Sequence, residues 1–269
     1  MSLRFTPNER VSITVEDDGV AQLRLTRADK LNALDATMFD ALVDAGRALF
    51  EMRSLRAVVM AGEGRGFCAG LDTARFSPAP GTSTDFTART HGNANQFQQA
   101  AMVWNKLPVP VIAAVHGVCL GGGLQIASGA DIRVMAPDAR LSIMETKWGL
   151  VPDMGGYARW RGLVRDDVLR ELIYTHREFS GQEAQGLGFA TLVDPDPVGR
   201  ATLIARQIAA LSPHAIRAAK LLANRVADAT TDELLLEESR AQHGLKGSRN
   251  QQEAVASQLA KRPPRFVDP

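Results

Sequence analysis

Cysteine is almost missing from this chain of 269 residues: only Cys68 and Cys119 occur, and they form no CxxC pair. That scarcity excludes a disulfide scaffold and a cysteine-built zinc site, and it fits a reducing cytoplasm. An excess of charge of either sign is missing too. The 31 Lys and Arg against 30 Asp and Glu leave a formal net charge of +1, so no overall field draws the chain to nucleic acid or to an anionic membrane. Any anionic partner must be met by local groups. The first 16 residues lack an apolar core and a small-residue cleavage site, so no export is expected. No GxGxxG stands after a strand with an acidic residue at the expected distance, and GxxxxGK[ST], GxSxG and HExxH do not occur. Dinucleotide, P-loop, serine-hydrolase and zincin chemistries lose their usual signatures.

One stretch, 107–130, has no Asp, Glu, Lys or Arg and is long enough to cross a bilayer. Pro108, Pro110, His116, Gly117, the triplet Gly121, Gly122 and Gly123, Gln125 and Ser128 lie within it. They would expose backbone and polar groups to lipid, whereas a buried strand, turn and helix would satisfy them. It reads as protein core.

At about 150 residues per domain, the length suits one large domain, or one with an appendage. Residues 11–15 and 20–25 alternate as strands, with Asp17, Asp18 and Gly19 as the hairpin turn. Asp35 opens a helix whose apolar face is Met38, Leu42, Ala45, Leu49 and Met52. The continuous apolar runs 56–60 and 111–115 suit buried parallel strands. A helix is expected over 124–130 and a strand over 132–135. Residues 73–92, rich in Ser, Thr, Pro and Gly, read as a mobile loop. Beyond Pro195 the pattern turns helical, with capping signals at Ser212 before Pro213 and at Thr230 with Glu233. Apolar faces on such a tail call for packing on the body or on another subunit.

Two glycine-containing turns follow two buried strands, GEGRGFCAGLD over 62–72 and GVCLGGGLQ over 117–125. Both can present backbone N–H groups, and the second enters a helix, whose N-terminus favours an anion or a developing oxyanion. The same glycines also serve tight turns and close packing. Glu145 stands eight residues before Asp153, with Gly149 and Pro152 bending the chain between them. The two carboxylates either face solvent or turn into a common cavity, where desolvation would raise their pKa values toward the range of proton transfer.

These segments together resemble the crotonase, or enoyl-CoA hydratase/isomerase, superfamily over nearly the whole chain. RADKLNALD (27–35) is similar to the family's CoA-binding start. GFCAGLD (66–72) and HGVCLGGGLQIASGADIR (116–133) are similar to its two oxyanion turns. LSIMETKWGLVPDMGG (141–156) and QLAKRPPRF (258–266) follow in order. The resemblance implies an α/β fold: a crotonase-like ββα spiral core with the CoA and oxyanion site over 1–195, and a helical trimerisation region over 196–269. It implies an oxyanion hole made by the backbone N–H groups of Ala69 and Gly122. It assigns CoA contacts to Ala28, Lys30, Ala69, Gly70, Leu71, Asp72 and Lys261. Arg24, Arg27, Lys30, Lys261 and Arg265 are the cations available to the CoA phosphates. No metal and no cofactor are expected, the CoA thioester being the substrate, and the expected assembly is a homotrimer or a dimer of trimers.

One position departs from the hydratases of this family, which present two glutamates to a water. Glu145 matches the second, but Gln125 stands in place of the first, and an amide cannot act as a base. Gln125 is expected to position substrate or water. Glu145 and Asp153 match the carboxylate pair of the dienoyl-CoA isomerases, which usually carry an aspartate where this chain has Gln125. The expected activity is therefore double-bond isomerisation of an acyl-CoA by proton shuttling. The alternatives are a 2-enoyl-CoA hydratase working with one glutamate and a catalytically silent acyl-CoA-binding protein.

Overall fold

A computed structural model describes residues 3–73 and 85–269. The chain begins with strands β1 (Leu3–Asn8), β2 (Val11–Val15) and β3 (Val20–Leu25), followed by helix α1 (Ala36–Phe50) and β4 (Ala57–Gly62). After α2 (Gln96–Lys106) come β5 (Val111–Val115), β6 (Val118–Leu120), α3 (Gly122–Gly129), β7 (Ile132–Met135) and β8 (Arg140–Ser142). Then follow α4 (Gly156–Trp160), α5 (Asp166–Thr175), β9 (Phe179–Ser180), α6 (Gly181–Leu187), β10 (Leu192–Val193) and α7 (Pro197–Ala209). Three helices close the chain: α8 (Pro213–Arg225), α9 (Thr231–Leu245) and α10 (Arg249–Leu259).

Seven strands form one sheet in the order β1-β2-β3-β4-β5-β7-β10, antiparallel as far as β3 and parallel from there on. The three strands β6, β8 and β9 form a second. Single bridges extend it, Cys68 to Cys119 and Leu34 to Leu71. The strands β3, β4, β5 and β7 of the main sheet therefore each feed a short segment of the second sheet or its bridges, and the first three then lead into a helix. The α/β architecture has the repeating ββα winding that the resemblance implies.

The central strands read as uninterrupted apolar runs because both faces are covered. Val58, Met60, Val111, Ala113 and Val115 join the core beneath α1, α2 and α3. Ala57, Val59, Ala61, Ile112, Ala114 and Val134 meet Ala201 and Ala205 of α7. So α7, although beyond residue 195, covers the body of the protein. Asp35 caps α1 as expected, its Oδ1 accepting Met38 N–H at 2.8 Å. Helix α3 starts two residues earlier than its apolar pattern suggests. Thr230 and Glu233 form a capping box at α9, whereas Ser212 caps α8 without a side-chain bond. The loop expected over 73–92 falls largely outside the described residues. No helix among the described residues is long and apolar enough to cross a membrane.

The tail is latched to the core by one buried cation. Lys220 of α8 donates to Trp104 O at 3.1 Å, Val109 O at 2.8 Å and Asp131 Oδ2 at 2.7 Å. Removing one partner of a buried ion pair strands the other. Lys220→Met should lower the unfolding free energy by about 3 kcal/mol, measured by urea denaturation; an unchanged midpoint would refute the latch.

Candidate active site

Parallel strands place their C-terminal ends together, and the two glycine turns leave from there. The first three motifs are laced to one another by backbone bonds. Leu34 N–H donates to Gly70 O at 2.8 Å and Asp72 N–H to Leu34 O at 3.0 Å. Cys68 N–H donates to Val118 O at 3.1 Å, and Leu120 N–H returns to Cys68 O at 3.0 Å. A Cβ on Gly70, which has φ of 85°, would lie 2.7 Å from Leu120 O and 3.6 Å from Gly122 N. The two turns thus abut, and only glycine allows so close an approach.

Which amides remain free corrects one expectation. Ala69 N–H, expected to face a thioester oxygen, donates to Leu31 O at 2.9 Å. Gly70 N–H bonds the Cys68 sulfur. Leu71 N–H, next to Gly70 where the two turns abut, is a donor of this turn with no acceptor among the described residues. Gly122 N–H, in the first turn of α3, is likewise unspent. The cause is Leu31, whose left-handed backbone (φ 50°) turns its carbonyl toward Ala69. Cys68 and Cys119 are fully buried, and burial pushes the Cys68 thiol up to about 12. A thiolate nucleophile is disfavoured there.

Glu145 begins a short 3-10 turn after β8, and its carboxyl approaches the second glycine turn: a Cβ on Gly121 would lie 3.4 Å from Glu145 Oε1. That oxygen accepts Gln125 Nε2–H at 2.7 Å, while Oε2 is buried with no hydrogen-bond partner. Burial pushes the carboxyl above its ordinary value, and the charge of Asp153 acts in the same direction. Its own N–H, Gln125 and Met144 N–H pull against this rise. Asp153 is raised too, by partial desolvation at a residue that still faces solvent. The structure therefore brings Glu145 and Asp153 within electrostatic reach of each other.

Gln125 is 1% exposed and its amide is spent inside the protein. Its Oε1 accepts Met154 N–H at 2.9 Å and Gly156 N–H at 3.0 Å, and its Nε2 donates to Glu145. The expectation that it orients substrate or water directly gives way to contacts with the protein itself. Sequence reasoning missed Tyr157, whose phenol is raised by burial and by the charges of Tyr174 and Glu145. Its position directly after the 141–156 motif was the available signal.

The expected CoA contacts divide. Ala28 packs on Gly64, where a Cβ would come within 2.8 Å of the Ala28 Cβ, and Lys30 is exposed without an acidic partner among the described residues. Asp72 and Arg27 are committed to each other at 2.7 Å, and Arg27 also meets Asp35 at 3.4 Å. Arg24 donates to Gln22 Oε1 at 3.1 Å. Lys261 follows α10, and the tail beyond it, Pro263, Pro264, Phe266 and Asp268, lines a cavity of about 540 Å³ beside the hairpin turn at Gly19. That cavity lies at the opposite end of the parallel strands from the glycine turns. Its charged residues largely neutralise one another, Arg56 with Asp268 and Arg206 with Glu16 and Asp18. Among the described residues, no cluster of His, Cys, Asp or Glu is arranged to hold a metal ion.

Comparison with known proteins bears on the family and the fold. The sequence profile of the enoyl-CoA hydratase/isomerase family matches residues 15–269. A mitochondrial Delta(3,5)-Delta(2,4)-dienoyl-CoA isomerase of Dictyostelium discoideum is 30% identical over 256 residues, 92% of this chain and 87% of that protein. A mitochondrial methylglutaconyl-CoA hydratase of Mus musculus is 30% identical over 259 residues, 93% and 80% of the two chains. The crystal structure of an enoyl-CoA hydratase from Bacillus anthracis superposes with a TM-score of 0.86 at 28% identity, covering 96% of this chain and 98% of that one.

Proposed function

Because the chain belongs to the enoyl-CoA hydratase/isomerase family, we propose that it is an acyl-CoA double-bond isomerase that shuttles protons on an enolate held between two backbone amides. Leu71 N–H and Gly122 N–H receive the thioester oxygen. Removing a proton from the carbon next to the thioester carbonyl moves charge onto that oxygen, and each preorganised donor contributes about 2.7 to 4 kcal/mol in the transition state. One of Glu145 and Asp153 takes that proton, and the other returns a proton farther along the chain, so the double bonds shift with no net gain or loss of atoms. Lys30 supplies a free cation for a CoA phosphate.

The observation that carries this reading is the buried Glu145 carboxyl, held by the fully bonded amide of Gln125, whose own backbone bonds tie it to the loop of Asp153. Hydration by two carboxylates on one water has no second base at position 125. Exposed apolar residues on the closing helices, Leu221, Leu235, Leu236 and Leu259, support assembly as a homotrimer or a dimer of trimers. In such an assembly Lys261 reaches CoA from a neighbouring copy.

The test is to incubate the protein with 2-enoyl, 3-enoyl and 3,5-dienoyl thioesters of CoA and follow products by mass and ultraviolet absorbance. A 2,4-dienoyl product at unchanged mass is expected. A 3-hydroxyacyl product would favour a hydratase, and binding without conversion a silent acyl-CoA binder. Asp153→Asn should slow the dienoyl reaction at least about a hundredfold. If Asp153→Asn is harmless while Glu145→Gln is not, a single-acid 3-enoyl isomerase or a one-glutamate hydratase replaces the dienoyl reading.

A further inference from the structure

Resting on the isomerase reading, we propose that Gln125 is a positioning residue: it pins the Glu145 carboxyl by one oxygen and leaves the other, Oε2, as the atom that exchanges protons with the bound thioester. The argument starts from the direction of the amide. Two backbone N–H groups, from Met154 at 2.9 Å and Gly156 at 3.0 Å, converge on one end of the side chain. Only an oxygen can accept them, so the NH2 end must face Glu145, where it donates to Oε1 at 2.7 Å. A flipped amide would set donors against donors and leave three buried groups unpaired.

The surroundings are shaped for this contact. A Cβ on Gly156 would come within 2.9 Å of Gln125 Oε1 and 2.5 Å of the Trp160 ring, so glycine at 156 lets the amide approach the backbone. Trp160 is itself held by Ser128 Oγ, which accepts its indole N–H at 2.8 Å. The same amide thus joins the two segments that carry the acids, the 3-10 turn of Glu145 and the loop of Asp153. Glu145 Oε2 is buried without a partner, and buried polar atoms in native proteins rarely lack one without a role. Asp153 and the Tyr157 phenol are the other titratable groups facing this carboxyl. A donor on Oε1 favours the ionised form, against burial and against the charge of Asp153.

Two variants test the role. Gln125→Met keeps volume and removes all three hydrogen bonds; Gln125→Glu keeps the acceptor for Met154 and Gly156 but sets a second carboxyl against Oε1. With the 3,5-dienoyl thioester, both should lower kcat about 10- to 100-fold while KM changes less than about twofold. The limb of the pH–rate profile that reports Glu145 should move to higher pH, and farther for Gln125→Glu, where like charges resist ionisation. Adding Gln125→Met to Glu145→Gln should produce little further loss, because both changes disable one device. NMR titration of the Glu145 carboxyl, assigned by its absence in Glu145→Gln, should move upward in Gln125→Met. An unmoved titration with additive losses overturns the proposal. If the wild-type protein converts no thioester, the isomerase reading fails instead, and the titration alone decides whether Gln125 holds Glu145.

Discussion

Replacing Glu145 by Gln is expected to slow conversion of a 3,5-dienoyl-CoA at least about a hundredfold, the usual size of a general acid–base contribution, with little change in KM. The variant keeps the size of the side chain and removes only the capacity of Oε2 to take and return a proton. Its stability provides the control. Burial raises the folded-state pKa of Glu145 above the ordinary 4.5, so the stability linked to its protonated form is full below pH 4.5 and is lost as pH rises through the raised value. At neutral pH the ionised carboxylate is therefore a burden on the fold, and Glu145→Gln should unfold at the same or a higher temperature. Lost turnover together with lost stability would point to misfolding instead of chemistry.

Gly122→Val should lower kcat/KM for the same thioester about 100- to 1,000-fold, the range for loss of one oxyanion donor, while circular dichroism and the thermal midpoint stay close to wild type. Backbone N–H groups cannot be deleted by a side-chain change, so the substitution works by filling the space beside the donor. A Cβ on Gly122 would meet Leu34 Cδ1 at 2.8 Å and Met154 Sδ at 2.9 Å, both flexible side-chain ends that can yield. Gly122 also lacks a left-handed backbone, so valine brings no backbone strain of that kind. Its neighbour offers a contrast: a Cβ on Gly123 would press on Cys68 O at 2.5 Å, and backbone cannot yield so readily. Full activity in a folded Gly122→Val would remove Gly122 from the oxyanion hole.

The elements readable from sequence are those specified locally. The β2–β3 hairpin follows from alternation around Asp17, Asp18 and Gly19, and α1 from the Asp35 cap and a clean apolar stripe. The strands β8, β9 and β10 have two or three residues each, and each pairs with a strand distant in sequence, so no local pattern announces them. The site divides in the same way. Residue type showed that Glu145 and Asp153 can carry protons and that Gln125 cannot. That Ala69 N–H of GFCAGLD is spent on Leu31 O is a backbone property without a side-chain signature, at a residue whose φ is left-handed. Arg27 shows the same limit: its charge is evident in the sequence, its commitment to Asp35 and Asp72 only in the fold.

The central claim is that an acyl-thioester enolate forms between Leu71 and Gly122 within reach of Glu145. The most direct measurement is mass-spectrometric location of deuterium in the 2,4-dienoyl product when the protein and a 3,5-dienoyl-CoA are mixed in heavy water, because carbon 2 gives up a proton and carbon 6 receives one. The account predicts label in the thioester recovered from wild-type reactions, and at least about a hundredfold less with Glu145→Gln. Equal labelling by the two proteins, or conversion by the wild type with no deuterium gained at carbon 6, would contradict it.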